Sequence, residues 1–538
     1  MNLIKDCWIP VVRQNGQLDV IAPWQIAETE NPVIEINAPR PDFQGALYQF
    51  LIGLLQTCFA PEDEEQWLDY WQEMPCTVEM QTAFEQVKVA FETDNPGGPA
   101  FMQDLELKPT KDEQPIEYLF IGAPGENTTF KNIDLFQKRG QVRKLCDVCA
   151  STALFTLQTN GPPGGAGHMA GLRGNGPLTT LLISNEINSP LFKSLWLNIL
   201  PNDNKTTPLQ NRSEEIFPWL TKTRTSESCT TKKCENGCKR CGTFPFDVDP
   251  LHVYWSMPRR IRLSKSDKSG HCDICSQHAE HLYESFTTKN KGYRYVGAWV
   301  HPLTPYQKSP DKLPNPIKGQ KAGIGYQHWV GLVFQDNERD FHAANVVREF
   351  LNEKAHLIGR TAIVSLWCFG YDMEPGQAKS RGWYSQRLPL FHVDKCKQRN
   401  LLEWGQDLTN SARVTVGILR EEIKSALFKN PKDAKGDMSA IDAQFWQSSE
   451  ADFYRLLERL VQLPSDTRMA PSEIYASWIG ILNLKMIQVF ETVALTAVPE
   501  DLDLKRIINA KKSMLSRFHG NKVIKDLKAK AQSEEVAK

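Results

Sequence analysis

Apolar residues recur at helical spacing through the last quarter of the chain, from about Lys397 onward. Breaks at 430–432, 463–465 and 498–500, each containing a proline, divide this stretch into four segments. The last of them is a basic helix expected from about Leu502 to Ala531. Four amphipathic segments with short connections predict a four-helix bundle over residues 396–538. The repeating positions before the last segment are Leu401, Leu408, Val416, Leu419, Ile423, Leu427, Phe445, Phe453, Leu456, Leu457, Leu460, Val461, Ile474, Trp478, Ile481, Leu484 and Ile487.

The first 395 residues have a different pattern, in which helical and strand-like stretches alternate. Residues 43–59 and 343–357 have helical periodicity, whereas 293–300 and 361–368 are short β-rich runs. Long loops rich in proline and glycine separate them, notably at 161–177 and 309–325. The fold class predicted is α+β, with a large mixed α/β domain over residues 1–395 followed by the C-terminal bundle.

Composition narrows the function classes. The 538 residues carry 63 Lys and Arg against 64 Asp and Glu, a net charge of -1. A free-standing nonspecific nucleic-acid binder is usually strongly basic, so any nucleic acid would contact local basic patches, with help from partner proteins. The sequence contains no apolar run of about 18 residues and no secretory signal, so we expect no membrane partner and a cytoplasmic location.

Eight of the thirteen cysteines are clustered, a pattern that favours metal binding in a reducing compartment. Cys146 and Cys149 form one Cys-x-x-Cys pair, and Cys272 and Cys275 form another about 120 residues later. The favoured hypothesis is that both pairs bind one zinc ion, because tetrahedral coordination needs four ligands. A second zinc could bind the local array, and free thiols are the remaining alternative. The array consists of Cys229, Cys234, Cys238 and Cys241.

Signatures of catalysis are missing from the sequence. His278 and Glu280 follow the second cysteine pair, but zinc deaminases place His-x-Glu before Pro-Cys-x-x-Cys, so solvent-exposed loop residues are the favoured interpretation. A four-thiolate site leaves no open position for water, so the zinc is expected to be structural and the protein not an enzyme. The Gly-rich loop, residues 161–176, lacks the lysine of a phosphate-binding loop. It can approach another molecule closely or simply connect two elements.

Basic residues gather in three stretches: 130–144 before the first cysteine pair, 258–268 before the second, and the final helix. Lys289 and Lys291 follow the second pair. Each stretch alone is most often a solvated face, but two of them flank the proposed zinc site, which suggests one phosphate-facing surface. A turn at Pro375-Gly376 also predicts a hairpin with residues 377–379 at its tip, which can pry between bases or face water.

Several motifs in a specific order resemble the CasA family, the large subunits of type I-E CRISPR Cascade surveillance complexes. They are 2-NLIKDCWIPV-11, Cys-x-x-Cys followed by Ala-Leu-Phe, 171-GLRGNGPLTT-180, the second Cys-x-x-Cys, 297-GAWVHPLTP-305 and 370-GYDMEPGQAKSR-381. The resemblance implies a non-catalytic subunit that recognises the protospacer-adjacent motif of double-stranded DNA through the minor groove. It also implies initiation of strand separation for R-loop formation and recruitment of a separate helicase–nuclease.

The same resemblance assigns roles to residues. One structural zinc would be held by Cys146, Cys149, Cys272 and Cys275. The Gly-rich loop at Gly164, Gly165, Ala166 and Gly167 would approach the minor groove, together with Lys291 or, as second choice, Lys289. Gly376, Gln377 and Ala378 would form a wedge that separates the strands. Contacts to the guide RNA and neighbouring Cascade subunits would come from Phe130, Lys131, Asn132, Lys138, Arg139 and Arg143.

The chain departs from the family at a few positions. Ala166 stands where other members can have glycine, and His168 follows where an aromatic residue can lie. The array from Cys229 to Cys241 has no counterpart that the resemblance supplies. Two rival functions stay open at this point: a zinc-dependent nucleic-acid-processing enzyme and a purely architectural zinc scaffold.

Overall fold

The chain divides into two compact units in the computed structural model. The first unit combines Met1–Gly319 with Glu338–Ser385, and the second combines Gln320–Asn337 with Gln386–Lys538. The boundary near residue 385 lies about ten residues before the position expected from the sequence, and segment 320–337 joins the second unit, which sequence patterning did not indicate. The structure describes all residues except 109, 111–112, 126–128, 132–137, 165–166, 203–207, 228–240, 309–311, 320–322, 337–339, 360–362, 375–378, 392, 434–435, 497–502 and 533–538.

Helices and strands both contribute, as the α+β prediction requires. The helices are α1 (Pro41–Cys58), α2 (Glu64–Gln72), α3 (Thr77–Glu85), α4 (Asp147–Asn160), α5 (Leu191–Trp196), α6 (Leu209–Ile216), α7 (Trp329–Val333), α8 (Asn345–Glu349), α9 (Lys395–Leu427), α10 (Ser439–Gln462), α11 (Ser472–Leu495), α12 (Leu504–Gly520) and α13 (Lys522–Gln532). The strands are β1 (Ile9–Arg13), β2 (Leu18–Ile21), β3 (Val33–Ile36), β4 (Gln114–Pro115), β5 (Thr179–Ser184), β6 (Arg260–Ser266), β7 (Gly270–His271), β8 (His278–Ala279), β9 (Leu282–Lys289), β10 (Tyr306–Gln307), β11 (Asn315–Pro316), β12 (Gln335–Asp336), β13 (Phe341–His342), β14 (Val364–Met373) and β15 (Ser380–Pro389).

Small antiparallel sheets organise the first unit. β1 lies between β2 and β3, and β10 lies between β11 and β13. β6 pairs with β9 from Arg260 opposite Lys289 to Ser266 opposite Leu282. β14 pairs with β5 on one side and β15 on the other. The strand expected over residues 293–300 does not form a regular ladder; it contributes one bridge between Thr243 and Tyr295, and Gly297 adopts a positive φ of 93°.

The core of the first unit surrounds α1. This helix is apolar on almost every face, so nearly all of it is buried. The ring of Phe50 meets five other aromatic rings edge-on at centroid distances of 5.3–5.9 Å. One of these rings is Phe155, which belongs to α4. Helix α4 is therefore fixed to the centre of the unit, and its first residues carry the first cysteine pair.

Helices α9–α13 and the segment around α7 form the second unit. Tyr326 stacks on Phe453 with ring centroids 4.4 Å apart, and its hydroxyl lies 2.9 Å from the hydroxyl of Ser449. The indole nitrogen of Trp478 donates a 3.0 Å hydrogen bond to the carbonyl oxygen of Leu408. These contacts explain why 320–337 belongs to the helical unit: its aromatic residues fill the space between helices.

The four helical segments expected from the sequence are present, but the last is not continuous. It divides into α12 and α13 at Asn521, whose backbone is extended and whose side chain accepts a 2.9 Å hydrogen bond from the amide of Val523. Gly520 before it and the capping asparagine together favour this break. Basic residues of α12 are also engaged locally, because Lys511 pairs with Glu491 and Arg517 pairs with Glu422.

Helix α11 qualifies the expectation that no segment reaches membrane-spanning length. Among the described helices it is long and apolar enough to cross a membrane by length and composition, with a mean hydropathy of 1.3. Trp478, Leu482, Met486 and Phe490 on it are nevertheless buried within the second unit. A mostly apolar core helix passes the same test.

Candidate metal centre and nucleic-acid interface

The two Cys-x-x-Cys pairs meet in the structure. Cys146 caps the N-terminus of α4 and Cys149 lies in its first turn, whereas Cys272 and Cys275 belong to the turn between β7 and β8. All four sulfur atoms lie within 4.8 Å of one another, and the Sγ atoms of Cys146 and Cys275 are 3.7 Å apart. We call this cluster the four-cysteine site.

The geometry of the four-cysteine site fits a tetrahedral metal ion. Four thiolates bound at about 2.3 Å would have sulfur–sulfur separations of about 3.8 Å. Three of the cysteines are buried and Cys275 is half-buried. Hydrogen bonds from the thiols of Cys146 and Cys149 lower the pKa of Cys272 and Cys275, the latter to about 7. Four cysteines complete the coordination sphere, so the cluster can hold a metal structurally without an open position.

The two halves of the four-cysteine site are also joined by hydrogen bonds that need no metal. Leu145 and Tyr283 exchange two backbone hydrogen bonds of 3.0 and 2.8 Å. The carboxylate of Asp273 accepts hydrogen bonds from the amides of Arg143 at 2.7 Å and Lys144 at 3.0 Å. The segment before the first pair is thus attached to the second pair.

His278 and Glu280 do not contribute to this cluster. The imidazole Nδ1 of His278 lies 3.8 Å from a carboxylate oxygen of Glu280, and both side chains are more than half exposed. Within the described residues, the cluster of potential ligands contains the four cysteines alone. Both are exposed, as expected, but His278 is not a loop residue: it pairs with His271 in the β7–β8 ladder. Of the second cysteine array, Cys229, Cys234 and Cys238 lie outside the described residues, and Cys241 is not part of the four-cysteine site.

The Gly-rich loop begins where α4 ends. Gly164 donates a 3.1 Å hydrogen bond to the carbonyl oxygen of His168, and Gly167 has a φ of 87°. The amide of Lys291 donates a 3.0 Å hydrogen bond to the carbonyl oxygen of Gly167. Two features of the predicted DNA contact, distant in sequence, are therefore neighbours. Gly165 and Ala166 lie outside the described residues.

Lys291 and Lys289 differ in their relation to this loop. Both side chains are exposed. Lys289 ends β9 opposite Arg260, whereas Lys291 lies past the strand in the left-handed region, with a φ of 62°. Such a conformation is uncommon for a residue other than glycine, and here it accompanies the bond to Gly167. The structure places Lys291 directly beside the loop.

The basic stretch 258–268 is largely turned inward, contrary to the expected phosphate-facing surface. Arg260 is buried and pairs with Asp104 at 2.6 Å, and Arg262 donates hydrogen bonds to backbone carbonyl groups. Arg259 lies beneath the Gly-rich loop, where its guanidinium donates to the carbonyl oxygen of Pro162. Burial lowers the pKa of Arg259 to about 10. Charge counts along a sequence do not reveal this inward orientation.

The basic stretch 130–144 does face solvent where it is described. Phe130 is 90% exposed, and Lys131, Lys138, Arg139 and Arg143 are also exposed. Asn132 lies outside the described residues. Their exposure makes these side chains accessible to a partner, and the attachment of Arg143 to Asp273 fixes the end of the stretch beside the four-cysteine site.

The predicted hairpin is formed by β14 and β15. The amide of Glu374 donates a 2.8 Å hydrogen bond to the carbonyl oxygen of Lys379, and this bond closes the ladder at the tip. Arg381 and Asp372 make two hydrogen bonds of 3.1 and 2.5 Å across the strands. The tip residues Gly376, Gln377 and Ala378 lie outside the described residues.

Comparison with known proteins identifies the family. The family model of CRISPR-associated protein Cse1 matches residues 2–488. The chain belongs to the Cse1 family. Cse1-type structures share its fold: CasA of Thermus thermophilus is 15% identical with a TM-score of 0.66, covering 97% of this chain and 99% of that one. Cse1 of Thermobifida fusca is 14% identical with a TM-score of 0.65, covering 99% and 98%.

A chain of a solved structure described as a CRISPR RNA-guided surveillance complex has the same fold. It is 13% identical to this Cse1-family chain, with a TM-score of 0.67, and covers 96% of this chain and 99% of its own length. At such low identity these matches establish the fold over both units.

Arg173 is an important residue of this Cse1-family chain that sequence reasoning missed. It lies in the Gly-rich loop but points into the core, where only 1% of it is exposed. Its guanidinium donates hydrogen bonds to Gln49 at 2.6 Å, Thr179 at 3.0 Å and Thr304 at 3.1 Å. The partners are neutral, and burial lowers the pKa of Arg173 to about 10. The sequence offered one sign that Arg173 is buried: it is a lone charged residue among the glycines of 171-GLRGNG-176.

Proposed function

We propose that the chain is the large, non-catalytic subunit of an RNA-guided Cascade complex that recognises the protospacer-adjacent motif in double-stranded DNA through the minor groove. The observation that carries this proposal is the direct backbone bond between Gly167 and Lys291. The family resemblance assigns these two features to the same groove. The similarity to a chain of an RNA-guided surveillance complex supports assembly with guide RNA and other Cascade subunits.

Minor-groove reading suits this pair chemically. The backbone at Gly164 and Gly167 has no side chain to prevent close approach. The exposed ammonium of Lys291 can interact with acceptor groups on base edges or with phosphates. Since the minor groove offers few distinguishing groups, such contacts give tolerant recognition of a short motif. That property suits a complex that must test many DNA sites.

Strand separation would start at the hairpin. The part of the ladder next to its tip is stiffened by the bond between Glu374 and Lys379 and by the Arg381–Asp372 pair. The family resemblance gives the wedge to Gly376, Gln377 and Ala378. Unstacking a base step costs a few kcal/mol, which guide-RNA pairing offsets, as it does in other RNA-guided effectors.

The four-cysteine site would hold zinc and act structurally. Zinc bound there would join α4, which leads into the Gly-rich loop, to the β7–β8 turn, which leads through β9 to Lys291. A closed site of four thiolates supports a non-enzymatic role, and DNA cutting would fall to a helicase–nuclease that the complex helps to recruit. Exposed residues between 130 and 143 would contact the guide RNA and neighbouring subunits. A cytoplasmic location follows from this role.

The sharpest test compares Lys289, the last residue of β9, with Lys291, two residues further along the chain. In the assembled complex, Lys291→Ala should weaken binding to motif-bearing duplex by about ten-fold, whereas Lys289→Ala should change it by less than about two-fold. The measurement is duplex affinity with the motif present and scrambled. Equal affinities for wild-type and Lys291→Ala complexes, together with no effect of Gln377→Ala on strand opening, would instead support a purely architectural scaffold.

Metal analysis tests the zinc proposal separately. One zinc atom per chain, lost in Cys272→Ser, corresponds to the four-cysteine site alone. A value near two would support a second site at the array from Cys229 to Cys241. Cleavage or deamination of labelled DNA by the purified chain, abolished by Cys272→Ser, would contradict the non-catalytic assignment.

A further inference from the structure

Three glycines form a close-packed layer between the end of the Gly-rich loop and strand β14. The amide of Gly319 donates a 3.1 Å hydrogen bond to the carbonyl oxygen of Gly176, and Pro177 forms an antiparallel bridge with Lys318. A Cβ atom added to Gly370 on β14 would lie 2.7 Å from the carbonyl oxygen of Pro177. We call these three residues the glycine layer: Gly176, Gly319 and Gly370.

The glycine layer touches the last residues of β14, next to the tip of the hairpin. A Cβ atom on Gly176 would overlap the Cγ of Met373 and lie 3.0 Å from the carbonyl oxygen of Tyr371. A Cβ atom on Gly319 would overlap that same carbonyl oxygen. Met373 is the last residue of β14 and precedes Glu374, which closes the hairpin. The end of the loop and the last residues of β14 therefore meet backbone to backbone.

The loop is also fixed to the core three residues before this contact. Arg173 reaches α1 through Gln49 and β5 through Thr179. The end of the loop, held by Arg173 and by the glycine layer, therefore has little freedom to shift independently of β14. The amide of Gly171 donates a 3.3 Å hydrogen bond to the carbonyl oxygen of Gly161, which joins this end to the start of the loop. Close-packed interiors transmit displacement because they contain no slack.

We propose that the glycine layer couples the groove-reading loop to the strand-separating hairpin, so that both act as one rigid assembly. The inference rests on the proposed function, because it concerns how two parts of that interface are held relative to each other. Gly176 and Gly319 are positioning residues: they need not touch DNA, and they set where the end of β14 beside the hairpin tip lies once the loop has entered the groove.

The test is Gly176→Ala in the assembled, guide-loaded complex, with Gly174→Ala as the matched control. Both glycines have a positive φ, 57° and 79°, so both substitutions strain the backbone. Only the first overlaps β14, since the nearest atom to a Cβ on Gly174 is the Cε of Lys318 at 3.9 Å. Strand opening is measured by permanganate reactivity of thymines in the first target base pairs beside the motif.

Overpacking of this kind should reduce opening by about ten-fold in Gly176→Ala, and the control should lose less than about two-fold. On a target duplex with mismatches already separating those base pairs, permanganate reactivity is read at thymines of the next, matched base pairs, and there Gly176→Ala should open to within about two-fold of wild type. A merely structural defect would not be rescued by the DNA. Equal opening in the two variants, or no rescue by the mismatched duplex, overturns the coupling.

A second variant keeps the test decisive if Gly176→Ala assembles poorly. Met373→Ala removes the side-chain atom that the new Cβ would overlap, so the double variant should open DNA better than Gly176→Ala alone. Additive losses in the double variant would contradict the contact. If the wild-type complex shows no motif-dependent binding, the proposed function itself fails; if it binds and opens DNA but the variants behave like the control, only the coupling fails.

Discussion

Removing the metal from the four-cysteine site should loosen the first unit without unfolding it. A link between Cys149 and Cys272 closes a loop of about 120 residues, and closing a loop of about 100 residues contributes up to about 4.7 kcal/mol. The Leu145–Tyr283 bonds and the Asp273 carboxylate already close most of this loop. We therefore expect the free energy of unfolding to fall by about 3 kcal/mol. For a unit of about 370 residues this corresponds to a decrease of about 4 °C in Tm.

The assay compares zinc-loaded protein, metal-stripped protein and Cys272→Ser by calorimetry and by hydrogen exchange. Amides in the β7–β8 turn should exchange faster without metal, while the amides of Leu145 and Tyr283 stay protected. Cys368→Ser is the matched control, since Cys368 is a fully buried thiol on β14, away from the cluster. Identical melting and exchange in loaded and stripped protein would refute the metal site. Loss of the whole calorimetric transition would refute the independent role of the hydrogen bonds.

Three further predictions concern pH, the helical unit and the hairpin. Burial lowers the pKa of His252 to about 4, so its contribution to stability is complete above about pH 6.5 and declines as the pH falls toward 4. At pH 5 the free energy of unfolding, measured with urea, should be about 2 kcal/mol lower than above pH 6.5. His252→Gln should remove this pH-dependent decrease. Phe453→Ala should cost about 3–5 kcal/mol, whereas Leu484→Ala, at an exposed site, should cost under about 0.5 kcal/mol in the same assay. Arg381→Ala and Asp372→Asn should each reduce strand opening about two-fold, and the double variant should be no worse than either; additive losses would show that the pair is not one unit.

Short sequence patterns predicted the positions of the helices and the pairing of the two Cys-x-x-Cys motifs. The helical spacing that includes Phe453 and Trp478 predicted helices where they are found. It did not give the buried face throughout, because Leu484 is exposed whereas Leu482 and Met486 are buried. The meeting of the two Cys-x-x-Cys pairs across about 120 residues was predictable, because a tetrahedral metal site needs four ligands and each pair offers two. The same reasoning could not tell that the bond between Gly167 and Lys291 would form, although the family resemblance assigned both to one surface.

Long-range packing decided what the sequence did not reveal. Arg260 and Arg262 read as exposed charges, yet tertiary partners such as Asp104 draw them inward. Arg173 was missed because a lone arginine among glycines has no periodicity to mark it as buried. The break at Asn521 was missed because a basic, amphipathic pattern continues across it while the capping side chain interrupts the backbone.

The second unit is built from two segments that are separate along the chain, and this has a consequence for its synthesis on the ribosome. Tyr326 emerges about 130 residues before Phe453, its stacking partner. At translation rates of roughly 5–20 residues per second, this aromatic segment waits about 6 to 25 seconds for its neighbour. During that interval it offers a binding site to holdase chaperones. A fragment expressed from residue 386 onward would reverse the problem, since its helices would be complete while the groove that Tyr326 fills stayed open to water.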